Sequence, residues 1–566
     1  MKTSQDYLRS LAITVTIVAL FALGAGSLFA QDYVNAQLPW HKAVLDSQGH
    51  LLAWYHPEKN LGYDQFLKLD WDFMEHKVPN LENNGLKVYL VDSIYNSETL
   101  QGRKTAEDFQ HNPASTYAHF VDLLMGWYPY SGDEEAGQVV RGMLDYEIAH
   151  GTTPGDWDWA GVPFATSCDG DLEYGRCIRG MPTDFYGGIE TDKVGELGLG
   201  YVLFYEMTGE RKYLDAALKC ANALAKHVGP GDATHTPWAY RVNARNGEII
   251  NGEDFGGMIV APVRLFEELL RLGVGNTESF RKAHDLAWSW ILKNPLNKSS
   301  DAWDRWTGYY EDVRKDQANI NDMDSMMTAY YILSHDDPST VDPEWEEHVG
   351  HLLDLSRELL GRGPFFGAWA IDEQERPHSG AAPHLSTGCC SRAGLSCRTS
   401  GWGAINAIYY EKTGDGSARE NAFRSLNYAT YFAASDGKIA CCGLGAASPL
   451  SWFEDGYADA GRNFTWAMGA VPEFAPVGQD HLLHSSSVIQ KVSYGNRKVG
   501  YRTFDNVGME VLRLSFKPTR IVGGATALHE SNDIKEEGYT VRVLQDGDYV
   551  VRIHRTHSNE VTVIAE

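Results

Sequence analysis

Positive charge is scarce in this chain. Lys and Arg total 49 of 566 residues against 76 Asp and Glu, a formal net charge of −27. That balance excludes a protein that wraps nucleic acid, because a phosphate backbone demands a basic footprint. It also weighs against a general polyanion binder. Cysteine is sparse too, with 8 in the chain. Beyond residue 30 no apolar run is long enough to cross a bilayer. What the chain has is core material: 43% hydrophobic residues, with Trp 16, Tyr 29 and Phe 21, against 22% charged. Global disorder is thereby excluded. The length suits two or three domains, or one large domain with an accessory module.

The first nine residues carry Lys2 and Arg9, an apolar run follows from Leu11 to Ala30, and polar sequence begins at Gln31. This is the order of an export signal, with an uncleaved membrane anchor as the alternative. Residues 1–36 are therefore set apart, and the expected location is secreted or periplasmic, membrane-bound only if the segment is retained. In an exported chain an even number of cysteines reads as disulfides. Cys168 and Cys177 close a short loop and are the easiest pair to propose.

From about residue 60 to 470 two series of helical patterns alternate. The first is amphipathic: 63–76, 134–150, 211–227, 279–293, 344–360 and 418–432. The second is richer in Gly, Ala and aromatics and poorer in charge, as befits helices buried on most sides: 114–128, 194–209, 255–272, 324–335, 399–414 and 458–471. Connections from the second series to the first are short. Those from the first to the second run to roughly twenty to forty residues, well above the usual loop, and long loops on one side of a regular scaffold carry function. Two turns share a phrase, FYEMTGE at 204–210 and YYEKTGD at 409–415, whose glycines suit a left-handed helix C-terminus.

Six outer and six inner helices with every long loop at the inner N-termini resemble the (α/α)6 toroid of the six-hairpin glycosidase superfamily, over about 400 residues. The resemblance implies a carbohydrate-active enzyme with its cleft at the inner-helix N-termini. The expected organisation is a toroid over 37–480 and a small antiparallel β-sandwich over 481–566, where short alternating runs are separated by Gly, Asn and Asp turns. The sandwich reads as a cap on the toroid.

Cleaving a glycosidic bond takes an acid at the leaving oxygen and a second carboxylate across the bond. Three entrances supply candidates: Glu190 and Asp192, Glu253 and Asp254, and Asp322 and Asp324. Asp192 and Asp254 lead, because adjacent inner helices bring their entrances to one rim. The competing reading for each is a helix cap. Trp157, Trp159 and Tyr186 in the long loop 151–189 are candidate sugar platforms, as is Trp402 beside Arg398, whose guanidinium suits a uronate carboxylate. His119 is a candidate proton shuttle. With Tyr117 and Arg398 it would also make the set a polysaccharide lyase needs. Asp169, Asp171 and Glu173 alternate as in calcium loops, without the full pattern.

The remaining cysteines read HLSTGCCSRAGLSC and KIACCG around one helical hairpin. The Cys-Cys pair is similar to the zinc-thiolate pattern of β-L-arabinofuranosidases. That resemblance implies Cys441 and Cys442 as ligands, with Cys390 or Cys397 as a third. The acidic residue that family carries before its first cysteine is missing here, and disulfides are the reading an oxidising compartment favours. The sequence thus points to an exported glycoside hydrolase on a saccharide substrate with no cofactor required, against two alternatives: a lyase acting on a uronate, and a non-catalytic glycan-binding envelope protein.

Overall fold

A computed structural model describes residues 38–82, 84–92, 94–96, 111–165, 172, 174–175, 187–251, 259–308, 319–320, 323–361, 363–371, 396–439, 450–452 and 457–566. Twelve α-helices lie among them: α1 Leu61–Asp72, α2 Pro113–Ser131, α3 Glu134–His150, α4 Thr191–Thr208, α5 Arg211–His227, α6 Val260–Leu272, α7 Thr277–Lys293, α8 Met323–Ser334, α9 Trp345–Leu360, α10 Ser396–Thr413, α11 Gly416–Ala429 and α12 Ala458–Ala470. The even-numbered helices form a closed ring. Each packs on the next, α2 on α4, α4 on α6 and so on to α12, which returns to α2. Each odd-numbered helix packs outside its even neighbour. The chain is an (α/α)6 toroid, and every connection into an inner helix is long.

The expected turn chemistry accounts for the hairpins. α4 ends at Gly209 with φ 75° and α10 at Gly414 with φ 77°. This is the left-handed conformation that glycine adopts without strain. Asp415 then caps α11 by accepting from the Ser417 N–H at 2.8 Å. Small residues set the ring's tightness. A Cβ on Gly195 of α4 would lie 2.5 Å from the Pro262 backbone nitrogen of α6, so only glycine permits that approach.

Two antiparallel sheets follow. One runs in spatial order His481–Ser485, Gly508–Leu514, Tyr549–Arg555, Gly538–Val543, and the other Ile489–Gly495, Lys498–Thr503, Glu560–Ile564, Arg520–Gly523, Thr526–Ala527. Their alternating inward residues, among them Val499, Leu512, Ile553 and Val563, are buried. The sheets sit against the C-terminal ends of the inner helices. His481 stacks on Tyr130 of α2 with centroids 3.8 Å apart. Tyr494 donates to the Pro129 carbonyl, Gln490 donates to the Glu206 carbonyl at 2.7 Å, and Arg271 of α6 pairs with Asp505 at 3.0 Å. Among the described residues these contacts fall at the end of the ring opposite to the one where the inner helices begin. No helix among the described residues is long and apolar enough to cross a membrane.

Candidate active site

Inner helices in a closed ring bury their first turns against one another, so a charge placed there must find its partner inside the ring. Several do. Lys193 of α4 lies 3.7 Å from Glu196 and donates to Ser115 Oγ of α2 at 3.2 Å, and that hydroxyl donates to Glu196 Oε2 at 3.2 Å. Arg398 of α10 reaches Asp459 of α12 at 3.4 Å. Arg462 holds the other oxygen of Asp459 and also pairs with Asp122 of α2 at 3.1 Å. His119 of α2 stands between the two groups. Its Nε2 is 3.7 Å from Glu196 and its Nδ1 3.9 Å from Asp459, both beyond hydrogen-bond reach, and neither nitrogen has another partner among the described residues.

The carboxyls at this rim are held in opposite protonation states. Burial alone would raise Glu196, but Lys193 and His119 outweigh it and bring the group down to about 2. Burial likewise opposes ionisation of Asp459, and Arg462, His119 and Arg398 together hold it well below the usual carboxylate range. Asp324, in the first turn of α8, goes the other way. Burial, and next the negative charge of Asp192, push it well above the usual range. Among the described residues the Asp324 carboxyl makes no hydrogen bond or ion pair. Asp192, in the first turn of α4, is buried and accepts from the Lys193 backbone N–H at 2.9 Å. Beside Arg398 opens a cavity of about 30 Å³ whose lining includes Met323, Met326, Met327, Asp459 and Trp466.

Of the residues singled out in the sequence, the ring brings together Asp192, Asp324, His119 and Arg398. Four take other places. Glu190 is fully buried in an ion pair with Arg241, 2.6 Å away across two paired strands, and is no open acid. Trp159 is buried with its ring stacked on His227 at 4.3 Å. Trp402 is 1% exposed and donates its indole N–H to the Leu353 carbonyl of α9, so it faces the outer layer and not the cleft. The Tyr117 hydroxyl lies 3.1 Å from that of Tyr174 in a buried cluster. Trp157 is half-buried, with Arg245 over its ring at 4.9 Å. Glu253, Asp254, Asp322, Tyr186, Asp169, Asp171, Glu173, Cys168, Cys177, Cys390, Cys441 and Cys442 lie outside the described residues. Cys397 is buried, and Cys220 is buried with a free thiol.

Glu196, Lys193, Asp459 and Arg462 were not singled out by the sequence reading. Their signal was present: each is a charge within two turns of the start of a helix otherwise made of Gly, Ala and apolar residues. A charge on a helix buried all round has to be answered by another.

No family model matches the sequence, and no curated protein matches it. Solved structures similar to the chain include a sugar epimerase from a ruminal bacterium, with TM-score 0.48 and 10% identity, covering 72% of this chain and 99% of that one. Others are a cellobiose 2-epimerase from Bacillus thermoamylovorans, with TM-score 0.45, 13% identity and coverage of 72% and 98%, and a GH76 α-mannanase from Bacteroides thetaiotaomicron, with 0.42, 10%, 72% and 97%. Likeness at this level assigns no activity. The toroid here is defined by the closure of its own ring.

Proposed function

We propose that this protein is a glycan-processing enzyme, and specifically a glycoside hydrolase. In this reading Asp324 is the general acid and Asp192 the ionised carboxylate across the bond, with Asp254 as the other candidate for that second role. The observation that carries the proposal is the buried Asp324 carboxyl, without a partner among the described residues, beside Asp192 at the rim where the inner helices begin. A carboxyl that keeps its proton near neutral pH can deliver it to a glycosidic oxygen, while a neighbouring carboxylate activates water or attacks the anomeric carbon. The toroid resemblance implies the same enzyme class.

The test is Asp324→Asn and Asp192→Asn, each confirmed as folded by circular dichroism and assayed on a glycan panel with product mass spectrometry. Loss of a true acid or base lowers turnover by about a hundredfold to ten-thousandfold. Near-normal turnover in both variants rejects the assignment, and an unsaturated product absorbing in the near ultraviolet would turn the reading to a lyase. Export belongs to the same proposal, resting on the charged-then-apolar segment before Gln31. N-terminal sequencing of the mature protein, with non-reducing peptide mapping of Cys168 and Cys177, checks it.

A further inference from the structure

We infer that Arg264 receives the carboxylate of an acidic sugar, so that the substrate of this site is a glycan carrying a uronate. The inference rests on the reading of the rim as a glycan-processing site and names its substrate class. Among the described residues, the cations in the first two turns of the inner helices are Lys193, Arg264, Arg398 and Arg462. Three of them are answered. Lys193 faces Glu196 at 3.7 Å, Arg398 faces Asp459 at 3.4 Å, and Arg462 holds Asp459 and reaches Asp122 at 3.1 Å. Arg264 faces no carboxylate among the described residues. The carboxyls that follow it on its own face of α6, Glu267 and Glu268, are committed to His335 and Arg271. Its guanidinium lies instead over the ring of Tyr330 of α8, 5.2 Å from the centroid.

Tyr330 stacks in turn on Trp466 of α12 with centroids 4.0 Å apart, and Arg462 lies 5.4 Å from the Trp466 centroid. α6 and α12 stand opposite each other in the ring, and α10 separates α8 from α12, so this column of side chains crosses the bore. Arg264, Tyr330 and Trp466 are each half-buried. The space they see, inside a ring of helices, is the bore itself. The cavity beside Arg398 leads there from the rim, because its lining runs from Asp459 in the first turn of α12 to Trp466 in the third. Tyr330 lies six residues after Asp324 on α8, about 9 Å of helix, so one substrate can reach both. A contact with an aromatic face leaves the guanidinium N–H groups open, and their planar fork matches a carboxylate two bonds at a time. Burial raises the Tyr330 hydroxyl, whose proton is thereby kept as a further donor beside Arg264. A carboxylate arriving here gains a counter-charge already stripped of part of its water. A neutral hydroxyl gains only an ordinary hydrogen bond.

The experiment is calorimetric titration of the wild type and of Asp324→Asn with oligogalacturonates and oligoglucuronates, against size-matched neutral galactan and glucan chains and sulfated versions of those neutral chains. Uronates are expected to bind at least about tenfold tighter than their neutral counterparts. Arg264→Met, which keeps a long side chain on Tyr330 without the charge, is expected to shrink that preference at least about tenfold, and Arg264→Lys to restore part of it. Should the Met variant not fold, Arg264→Gln carries the same test. Neutral chains bound as tightly as uronates overturn the inference. So do sulfated chains bound as tightly as uronates, an unchanged preference in the folded variant, and no binding of any chain. The hydrolase reading fails separately: near-normal turnover in Asp324→Asn and Asp192→Asn rejects those roles and leaves Arg264 standing if the preference for uronates holds.

Discussion

Glu147, on the outer helix α3, is fully buried and neither of its carboxyl oxygens has a hydrogen-bond partner among the described residues. Burial raises it from its usual 4.5 to about 8. Around it stand Tyr117 of α2, Tyr174, Tyr201 of α4 and Cys220 of α5, none of which supplies positive charge. In the unfolded chain the group loses its proton near 4.5, whereas in the folded chain it keeps it to about 8. Between those limits the folded state binds more protons, so unfolding free energy falls as pH rises. The stabilisation is complete below pH 4.5 and gone by about pH 8. At about 1.36 kcal/mol per pH unit the loss reaches up to about 5 kcal/mol, or about 4 °C in Tm for a chain of this size. Glu147→Gln keeps the shape and cannot ionise. Thermal melts of both proteins from pH 4.5 to 8.5 should converge at the acid end, with the variant melting higher at the alkaline end. Parallel Tm–pH slopes for the two proteins would refute the claim that Glu147 folds with its proton on.

Three further substitutions test the packing. Glu190→Gln strands Arg241 in the interior and should cost about 3–5 kcal/mol by chemical denaturation; a loss under 1 kcal/mol would mean the pair is not buried as described. Gly195→Ala drives a Cβ against the Pro262 backbone and should destabilise by about 1–3 kcal/mol as α4 and α6 separate, whereas a neutral effect would rule out so close an approach. Trp402→Phe removes the bond to the Leu353 carbonyl and should cost about 1 kcal/mol with turnover unchanged; a selective loss of turnover would return Trp402 to the cleft.

The helices were legible in the sequence because two local signals agree. The apolar spacing marks each helix, and glycines such as Gly209 and Gly414 mark where hairpins turn. The inner and outer roles were legible from the charge on each helix. The site was legible only at its edge. Asp192 and Asp324 stand where loop becomes helix and drew notice as caps or acids, whereas Glu196 and Asp459 gain their meaning from partners on other helices. Trp159 and Trp402 show the converse: a tryptophan near a cleft loop looks like a sugar platform, and only the packing of His227 or α9 decides which way the ring faces.

The contact between α12 and α2 has a consequence for how the protein is made. Arg462 and Asp122 are 340 residues apart in the chain, and at about 5–20 residues per second the ribosome delivers the second roughly 20–70 s after the first. Throughout that interval Asp122 and the Nδ1 side of His119 belong to an open arc whose matching charges, Arg462 and Asp459, have not been synthesised. Each hairpin can form as it emerges, since its partners are neighbours in sequence, but the seam cannot. The cluster that holds His119 is therefore completed last, at the moment the first and last inner helices meet, and an arc lacking its final inner helix keeps Lys193 beside Glu196 but has neither Asp459 to answer Arg398 nor Arg462 to answer Asp122.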